Sequence, residues 1–370
     1  MIDVLNKSLS GHPWRKKSYE TISPVQDMIL SKKQKKFAAL SYPLWAVCKG
    51  SAFLMGKKFL SPRENTRRYY EDFFDPLCGK TGVWPDYTEG YYPENNEKYE
   101  QAKQKQFDYI LDKCGAASGS EILEIGCGNG KLALNAINRG CKIPGVTVSR
   151  EQAAVCRHLG IDVRVCSFES LSEEFSENRF DTIILNGPSE HFVTEEQALS
   201  GESQRVRDSL FNICQKLLKP GGRIFITCIH FRYDADIKEV IKYPLRHKPG
   251  SYNFQMSVLV RLYSGWYPEP GTYETIAQKY GLKKIFDRDA TYDYLLTSVN
   301  WSKRLKSYLK KNPEFTRNFL KKLFVKDPRY FFITYLFWIF DPWTWQFQGG
   351  EKSPMIHKWL MFEKTDTSTT

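Results

Sequence analysis

The sequence predicts an α/β fold in which a mostly parallel, seven-stranded sheet carries a helical cap. Between residues 96 and 230, strand-like apolar runs alternate with helical patterns, which is typical of parallel strands joined by right-handed crossovers. A glycine-rich turn directly follows the first of these strands. After Ile229 the alternation stops, and residues 231–275 are rich in Tyr, Pro and Arg. This break indicates insertions near the carboxyl edge of the sheet, where such folds place their ligands.

The elements follow in chain order. The segment "NEKYEQAKQKQFDYILDKC" has its apolar residues near one face and is ended by Gly115, which predicts a helix. The run Ile122–Ile125 predicts the first strand, the glycines after it form a turn, and a helix begins near Leu132. Six further strands are predicted at "IPGVTV", "DVRVCSF", "FDTIILNG", "RIFITCI", "LKKIFDR" and "HKWLMFEK".

The net charge of +12 is concentrated in two segments. Residues 1–60 contain eleven Lys or Arg and three Asp or Glu, and residues 303–322 contain eight against one. In the second segment Leu305, Leu309, Phe319 and Leu323 lie opposite the lysines, which predicts an amphipathic helix. Each segment is consistent with peripheral membrane contact, but a solvated helix face is the preferred interpretation. No nucleic-acid partner is expected.

Cysteine spacing and the apolar runs indicate the compartment. Nine cysteines are scattered singly, without CxxC or zinc-like Cys/His spacing, which favours a reducing compartment and no metal. The N-terminus lacks the apolar region of a secretory signal, so we expect a cytoplasmic protein, with membrane contact as an option. The runs Phe37–Cys48 and Tyr330–Phe340 are too short to span a bilayer unaided, and we interpret them as core helices rather than interfacial segments.

The turn "EIGCGNG" carries the chemical signal. Gly126, Gly128 and Gly130 allow the backbone to turn tightly and approach a ligand, and the following helix offers free N–H groups. Their GxGxG spacing disfavours a dinucleotide, and Glu124 suits a cofactor with a cationic amino-acid portion. Together with "LLKPGGRIFI", this pattern resembles the S-adenosylmethionine motif of class I methyltransferases, which implies a Rossmann-like sheet and S-adenosyl-L-methionine as cofactor.

The resemblance narrows to one family. "RYYEDFFDPL", "GVTVSREQ", "NGPSEHF" and "SGWYPEPGTYETIAQKYGL" are similar to segments of the cyclopropane fatty acid synthase family, between about Arg67 and Lys364. That family includes mycolic acid methyltransferases and plant alkaloid N-methyltransferases. The implied organisation is a basic N-terminal extension (1–66), helices over the cofactor site (67–118), a cofactor-binding core (119–230), a substrate cap (231–280), final strands with a basic aromatic insertion (281–364) and a polar tail (365–370).

The resemblance also implies cofactor contacts. Thr147, Ser149 and Gln152 would bind the ribose in place of an acid, and Phe168 would stack on the adenine. Tyr87 falls on the family's cofactor-binding tyrosine. The further implied contacts are Thr88, Glu169 and Asn186.

The catalytic residues are implied by similarity and by departures from it. Members that act on alkenes hold a bicarbonate base with a cysteine, a glutamate, a histidine and a tyrosine. Here Glu89 aligns with the cysteine and Thr227 with the histidine, whereas Glu190 and Tyr294 remain. The carbocation apparatus is therefore expected to be dismantled, since a second carboxylate would repel bicarbonate.

Two carboxylates in an aromatic pocket suit a cationic substrate instead. One of them, or His191, would accept the proton while an amine attacks the methyl group. We therefore expect N-methylation of a small or amphiphilic amine. The alternatives are C-methylation or cyclopropanation of an unsaturated lipid chain, or a catalytically silent scaffold. Glu89 as an exposed loop charge and Tyr294 as a core residue remain open, and His230 is expected to be structural.

Overall fold

A single seven-stranded sheet organises the protein, in the order β3-β2-β1-β4-β5-β7-β6. The structure is a computed structural model that describes residues 28–58, 68–77, 88–233 and 235–365. The strands are β1 (Ile122–Ile125), β2 (Gly145–Thr147), β3 (Val163–Val165), β4 (Phe180–Asn186), β5 (Leu218–Phe231), β6 (Leu282–Asp289) and β7 (Met355–Lys364). The pairs among β1 to β5 are parallel, and β7 runs antiparallel to both β5 and β6. The predicted mostly parallel sheet is confirmed.

Helices cover both faces of the sheet and build the cap. They are α1 (Lys32–Leu54), α2 (Tyr99–Lys113), α3 (Lys131–Asn138), α4 (Arg150–His158), α5 (Leu171–Glu174), α6 (Glu195–Leu199), α7 (Ser203–Leu217), α8 (Ile237–Val240), α9 (Tyr252–Tyr263), α10 (Thr272–Lys279), α11 (Thr291–Lys311), α12 (Pro313–Lys326), α13 (Pro328–Phe340) and α14 (Pro342–Trp345). Shorter helical turns lie at Tyr69–Phe74, Asp75–Leu77, Phe168–Ser170, Ser189–His191, Pro244–Arg246 and Gly350–Lys352. The cap comprises α8, α9 and the insertion α11–α14 between β6 and β7.

The single amphipathic helix predicted across residues 303–322 is wrong. α11 ends at Lys311 and α12 begins at Pro313, so the segment contains parts of two helices. Asn312, between the two helices, has φ −123° and ψ 70°, outside the helical region, and Pro313 cannot donate the N–H that a continuous helix would need there. The apolar side chains Leu305, Phe319 and Leu323 are nevertheless buried.

The two long apolar runs meet in the structure. Residues 330–340 belong to α13, which is buried in the cap, and residues 37–48 belong to α1, which packs on α13. The Trp45 ring lies 4.1 Å from Tyr243 and 5.3 Å from Phe332. Of α1, only the inward face is buried. Over the described part of the chain, no helix combines the length and apolarity needed to cross a membrane.

The packing of α7 on the sheet generates a stability prediction. Phe211 is 1% exposed, and its ring lies 5.4 Å from Tyr273 and 5.8 Å from Phe362 in β7. We expect Phe211→Ala to lower the free energy of unfolding by about 3–5 kcal/mol, because it removes buried apolar area and leaves a cavity. Equilibrium denaturant unfolding measures the change. Val155→Ala, at a position 45% exposed on α4, is the control and is expected to change it by less than about 0.5 kcal/mol.

Candidate active site

The glycine turn follows β1, at the carboxyl edge of the sheet. Gly126, Gly128 and Gly130 have φ values of 77°, 51° and 74°. A Cβ on Gly126 would lie 2.5 Å from the Pro188 side chain, and one on Gly130 would lie 2.4 Å from Ile161. Side chains are therefore excluded on both conformational and steric grounds. Gly130 caps α3, whose N-terminus therefore faces the turn.

The cleft beside this turn fits the amino-acid portion of S-adenosylmethionine. Its lining residues include Thr88, Phe107, Glu124, Asn129, Lys131 and Asn186. Glu124 is buried and its Oε2 has no hydrogen-bond partner. Burial raises its pKa to about 8. The Ala133 amide donates to the Glu124 carboxyl, whereas the partner-free Oε2 suits an ammonium group, and Lys131 at the start of α3 offers a cation for a carboxylate.

The residues predicted to hold the ribose lie together after β2. The Thr147 hydroxyl donates to Gln152 Oε1 at 2.7 Å, and the Ser149 amide donates to Thr147 Oγ1 at 3.2 Å. Ser149 also caps α4 by accepting from the Gln152 amide at 3.2 Å. One hydrogen-bonded unit thus presents three polar side chains at this edge. Their contact with the ribose stays a prediction.

Two further predicted cofactor residues follow β3. Phe168 is buried and stacks on Phe192, with ring centroids 4.8 Å apart and planes 24° apart. The Glu169 side chain is exposed to solvent. Phe192 follows the helical turn after β4, so this aromatic pair connects the segments that follow β3 and β4. Adenine stacking on Phe168 itself stays a prediction.

The loop Thr88–Tyr92 is fixed between α2 and α11. The Thr88 carbonyl accepts a hydrogen bond from Tyr99 Oη at 2.9 Å. The Gly90 amide donates to Thr297 Oγ1 at 2.9 Å, and the Tyr92 amide donates to Asp293 Oδ1 at 2.8 Å. Tyr87 lies outside the described residues. The loop directs Glu89 inward, where it is 2% exposed, so Glu89 is not a solvated loop charge.

Glu89 is held by donors from three parts of the chain. Its Oε1 accepts from Trp359 Nε1 at 3.0 Å and lies 3.6 Å from His357 Nε2. Its Oε2 accepts from the Thr88 hydroxyl at 3.4 Å. Burial raises the pKa of Glu89 to about 7, although hydrogen bonds from Trp359, Gln106 and Thr88 act to lower it. Glu89 can therefore exchange a proton near neutral pH.

Glu190 is the second buried carboxyl, in the turn after β4. It is 3% exposed and its Oε2 has no hydrogen-bond partner. Burial raises its pKa to about 8, and the negative charge of Glu89 adds to that increase. Among the described residues, neither carboxyl forms an ion pair with Lys or Arg. Glu89 and Glu190 are therefore two buried acids without a fixed counter-cation among the described residues, and we call them the carboxyl pair.

Asn186 connects the carboxyl pair to the cofactor cleft. Its Oδ1 accepts from Gln106 Nε2 at 2.9 Å and from the Thr227 hydroxyl at 3.0 Å, and its Nδ2 donates to Thr88 Oγ1 at 3.1 Å. Both the oxygen and the nitrogen of the Asn186 amide thus have protein partners. This network fixes Thr88, and through it Glu89, next to the cleft.

Two site residues, His357 and Trp359, are absent from the sequence prediction. The antiparallel register pairs Trp359 with Thr227 and His357 with Ile229, so β7 places both side chains beside the strand-β5 end of the site. His357 is fully buried, and burial lowers its pKa well below the usual value, which keeps it neutral. One feature of the sequence could have identified them. His357 and Trp359, which can both form hydrogen bonds, lie two positions apart in the apolar strand "HKWLMFEK" and therefore face the same side of the sheet.

The remaining predicted residues divide between two places. The Tyr294 ring lies 4.8 Å from His357 and 4.5 Å from Phe347, so His357 connects it to Glu89 of the carboxyl pair. His191 Nδ1 contacts the Ser264 carbonyl at 3.1 Å, which holds its ring toward the cap. Burial lowers the pKa of His191, so it is neutral at pH 7. His230 is buried and its Nδ1 contacts the Cys228 carbonyl at 3.1 Å.

Side chains that could bind a metal are not clustered in the described part of the chain. Within residues 28–58, 68–77, 88–233 and 235–365, no group of three or more His, Cys, Asp or Glu side chains is arranged to hold a metal ion. The cysteines that the structure describes are free thiols.

Comparison with known proteins identifies the chemistry. The family model "Mycolic acid cyclopropane synthetase" matches residues 62–327. Similar curated proteins are ubiquinone biosynthesis O-methyltransferases: that of Sodalis glossinidius is 25% identical over 169 residues (44% of this chain, 63% of that protein), and that of Pseudomonas aeruginosa PAO1 is 26% identical over 195 residues (48% and 78%).

Solved structures share the fold. The cyclopropane synthase MmaA2 from Mycobacterium tuberculosis has a TM-score of 0.61 at 18% identity, covering 83% of this chain and 100% of that one. The mycolic acid cyclopropane synthase CmaA1 with SAH and CTAB gives 0.60 at 18%, covering 81% and 98%. A geranyl diphosphate C-methyltransferase from Streptomyces coelicolor A3(2) gives 0.52 at 14%, covering 82% and 98%. The predicted class I fold, methyltransferase activity and S-adenosylmethionine cofactor are confirmed.

The glycine turn generates a binding prediction. We expect Gly126→Ala to weaken S-adenosylmethionine binding at least about tenfold, because the new methyl group would lie 2.5 Å from Cβ and 2.6 Å from Cγ of the rigid Pro188 ring and would displace the turn. Isothermal titration calorimetry measures the affinity. Gly119→Ala is the matched control: Gly119 also has a positive φ of 86°, but no atom lies within 4 Å of the position that its new methyl group would take, and we expect unchanged affinity. If both variants lose the same affinity for S-adenosylmethionine, backbone strain alone explains the loss and a steric collision is not needed.

Proposed function

We propose that this chain, which belongs to the mycolic acid cyclopropane synthetase family, uses S-adenosylmethionine to methylate the nitrogen of a small or amphiphilic amine. The observation that supports this acceptor is the carboxyl pair, Glu89 and Glu190, buried without a basic partner among the described residues. Burying an uncompensated carboxylate is unfavourable, and the raised pKa values record that cost. A protonated amine bound here would compensate the charge.

The surroundings suit a cation as well as an apolar group. His357 connects Tyr294 to Glu89 of the pair. The Tyr294 ring lies 6.2 Å from Trp301, which in turn lies 4.9 Å from Trp343. Aromatic faces attract ammonium groups, and the attraction is strongest where water is excluded. An amine with an apolar substituent would therefore place its nitrogen at the carboxyl pair and its substituent against these rings.

The carboxyl pair supplies the base for the reaction. S-adenosylmethionine supplies a methyl group bonded to a positively charged sulfur. An ammonium group bound at the pair transfers one proton to a carboxylate, which frees the nitrogen lone pair. That lone pair forms the new N–C bond while the C–S bond breaks and its electrons remain on sulfur. The nitrogen then carries the positive charge beside the pair, and once the accepted proton has passed to water, the carboxylate can stabilise that charge.

Glu89 is the member of the pair that ionises more readily. Trp359 and Thr88 donate hydrogen bonds to its carboxylate, whereas Glu190 Oε2 has no partner and Glu190 has the higher pKa. Neutral His357 lies against Glu89 without adding charge. Glu89 is therefore assigned as the anion that binds the ammonium, and Glu190 as the group whose free oxygen shares the transferred proton.

The second candidate function is C-methylation or cyclopropanation of an unsaturated acyl chain. The observation that favours it is the aromatic cap wall, in which Trp343 lies 5.3 Å from Tyr263 and 4.9 Å from Trp301. Such a wall fits a hydrocarbon chain. In that reaction the carboxyl pair would remove a proton from carbon after methyl transfer, so both candidates use the same acids.

Acceptor assays separate the two candidates. With methyl-labelled S-adenosylmethionine, we expect label in dodecylamine as an N-methyl group and none in the acyl chains of dioleoyl phospholipid vesicles. We expect Glu89→Gln or Glu190→Gln to lower kcat/KM for the amine by about 100-fold or more, because the base is lost. Mass spectrometry of the products and initial rates provide the measurements.

The control for that experiment is a partly buried acid. Glu195 has a pKa raised to about 7 by burial and accepts from Ser264 Oγ at 2.9 Å, outside the carboxyl pair. Glu195→Gln is expected to change kcat/KM by less than about threefold. Label found in acyl chains, with no labelled amine, would reject the amine and establish the second candidate.

The hydrogen bond from Trp359 generates a pH prediction. A base must be ionised to accept a proton, so kcat should rise as pH increases through the pKa of the carboxyl pair. Trp359→Phe removes a donor that favours the ionised form of Glu89, so the midpoint should move upward by about one pH unit. The pH dependence of kcat between about 6 and 9 tests this. Trp343→Phe, in the cap, should leave the midpoint unchanged, and an unshifted midpoint for Trp359→Phe would contradict the assignment.

A further inference from the structure

The outward face of α1 is apolar. The buried positions of this helix, Ser41, Cys48 and Ala52, lie on one side. The other sides of the helix carry large apolar side chains that are exposed to solvent. Their exposed fractions are 48% for Leu40, 60% for Val47, 83% for Phe53, 85% for Leu54 and 40% for Met55, which directly follows the helix. Leu40, Val47 and Leu54 are seven residues apart, so they lie along one line of the helix. A helix on the surface of a globular domain normally presents charged residues there.

Charge is almost absent along this face. From Phe37 to Leu54 the sequence "FAALSYPLWAVCKGSAFL" contains one charged residue, Lys49. The exposed positions between the apolar side chains are small or uncharged: Ala39, Tyr42, Pro43, Ala46 and Gly50. We call the exposed residues between positions 39 and 55, which belong to α1 or directly follow it, the α1 face. Such a continuous apolar surface marks an interaction site.

Lysines lie at both ends of the α1 face. Lys32, Lys33, Lys35 and Lys36 are exposed in the first turns of α1, and Lys58 is exposed beyond its end. Cations at a helix N-terminus oppose the helix dipole, and the first turn contains no acid to offset them. Lys33 Nζ lies 5.7 Å from the centre of the Phe37 ring, which offsets part of this unfavourable effect. The clustering of four lysines at this end of the helix nevertheless indicates an anionic partner.

The surface next to the α1 face also combines exposed apolar side chains with lysines. Arg329 Nη2 donates to the Lys58 carbonyl at 2.7 Å, which joins the end of α1 to the corner between α12 and α13. Near that corner Val325 is 53% exposed, and Lys321 and Lys322 are exposed on α12. Apolar side chains bordered by lysines thus extend from α1 to α12.

We propose that the α1 face docks on an anionic phospholipid bilayer. Phe53, Leu54 and Val47 would enter the boundary between headgroups and acyl chains, while the flanking lysines contact phosphate groups. A second copy of the chain fits less well: both ends of the face are basic, so pairing in either orientation brings lysines against lysines. The proposal does not depend on which acceptor is methylated, because the α1 face is separate from the carboxyl pair.

Vesicle flotation with the full chain tests the proposal. We expect binding to vesicles that contain phosphatidylglycerol, and at least about tenfold weaker binding to pure phosphatidylcholine or at high salt. The double variant Phe53→Ser/Leu54→Ser should bind phosphatidylglycerol vesicles at least about tenfold more weakly, because it removes two inserted apolar side chains. Val155→Ser/Leu199→Ser, with both positions 45% exposed elsewhere, is the matched control and should bind normally.

Two results would overturn the proposal. One is unchanged vesicle binding by Phe53→Ser/Leu54→Ser, with S-adenosylmethionine calorimetry showing that all variants are folded. The other is a wild-type dimer in light scattering that becomes a monomer in this variant, without vesicle binding by either. That second result would assign the α1 face to contact between two copies of the chain.

Discussion

The antiparallel insertion of β7 between β5 and β6 is the constraint on which the site depends. It returns the chain along β5 in a register that places Trp359 opposite Thr227 and His357 opposite Ile229. Because α11–α14 leave the sheet after β6 and rejoin it at β7, the same insertion places the cap over the carboxyl edge. α11 then fixes the loop that carries Glu89, through Thr297 and Asp293. One strand pairing therefore buries the acid, supplies its hydrogen-bond donor and closes the site.

Burial gives this arrangement its chemical character. A carboxyl group in contact with water would have an ordinary pKa and would be a weak base near pH 7. Here desolvation brings the pKa of Glu89 to about 7 and that of Glu190 to about 8. Hydrogen bonds limit the increase for both acids, and the negative charge of Glu89 adds to the increase for Glu190. Their different surroundings thus give the two acids different pKa values.

Local patterns allowed much of the fold to be predicted, whereas the complete site required long-range register. The strand Ile122–Ile125 and the glycine turn were predictable because their signals lie within ten residues of sequence. Pro313 could have revealed the break between α11 and α12. By contrast, His357 and Glu89 are separated by 268 residues in the chain and meet only through the β5–β7 register. An apolar pattern also cannot distinguish a face of α1 that packs on α13 from one exposed to solvent.

The two proposals meet in the cap. Phe37 of α1 lies 6.2 Å from Tyr335 of α13, and Phe337 on that helix lies 5.9 Å from Trp343. Trp343 contacts Trp301, which contacts Tyr294 beside the carboxyl pair. Aromatic contacts therefore run from the helix with the exposed apolar face to the buried acids. A protein that rests on a bilayer through α1 would hold this aromatic wall close to the lipid. Such a placement favours an acceptor with an apolar tail and a basic head over a freely soluble amine, because each end of that molecule matches one end of the wall.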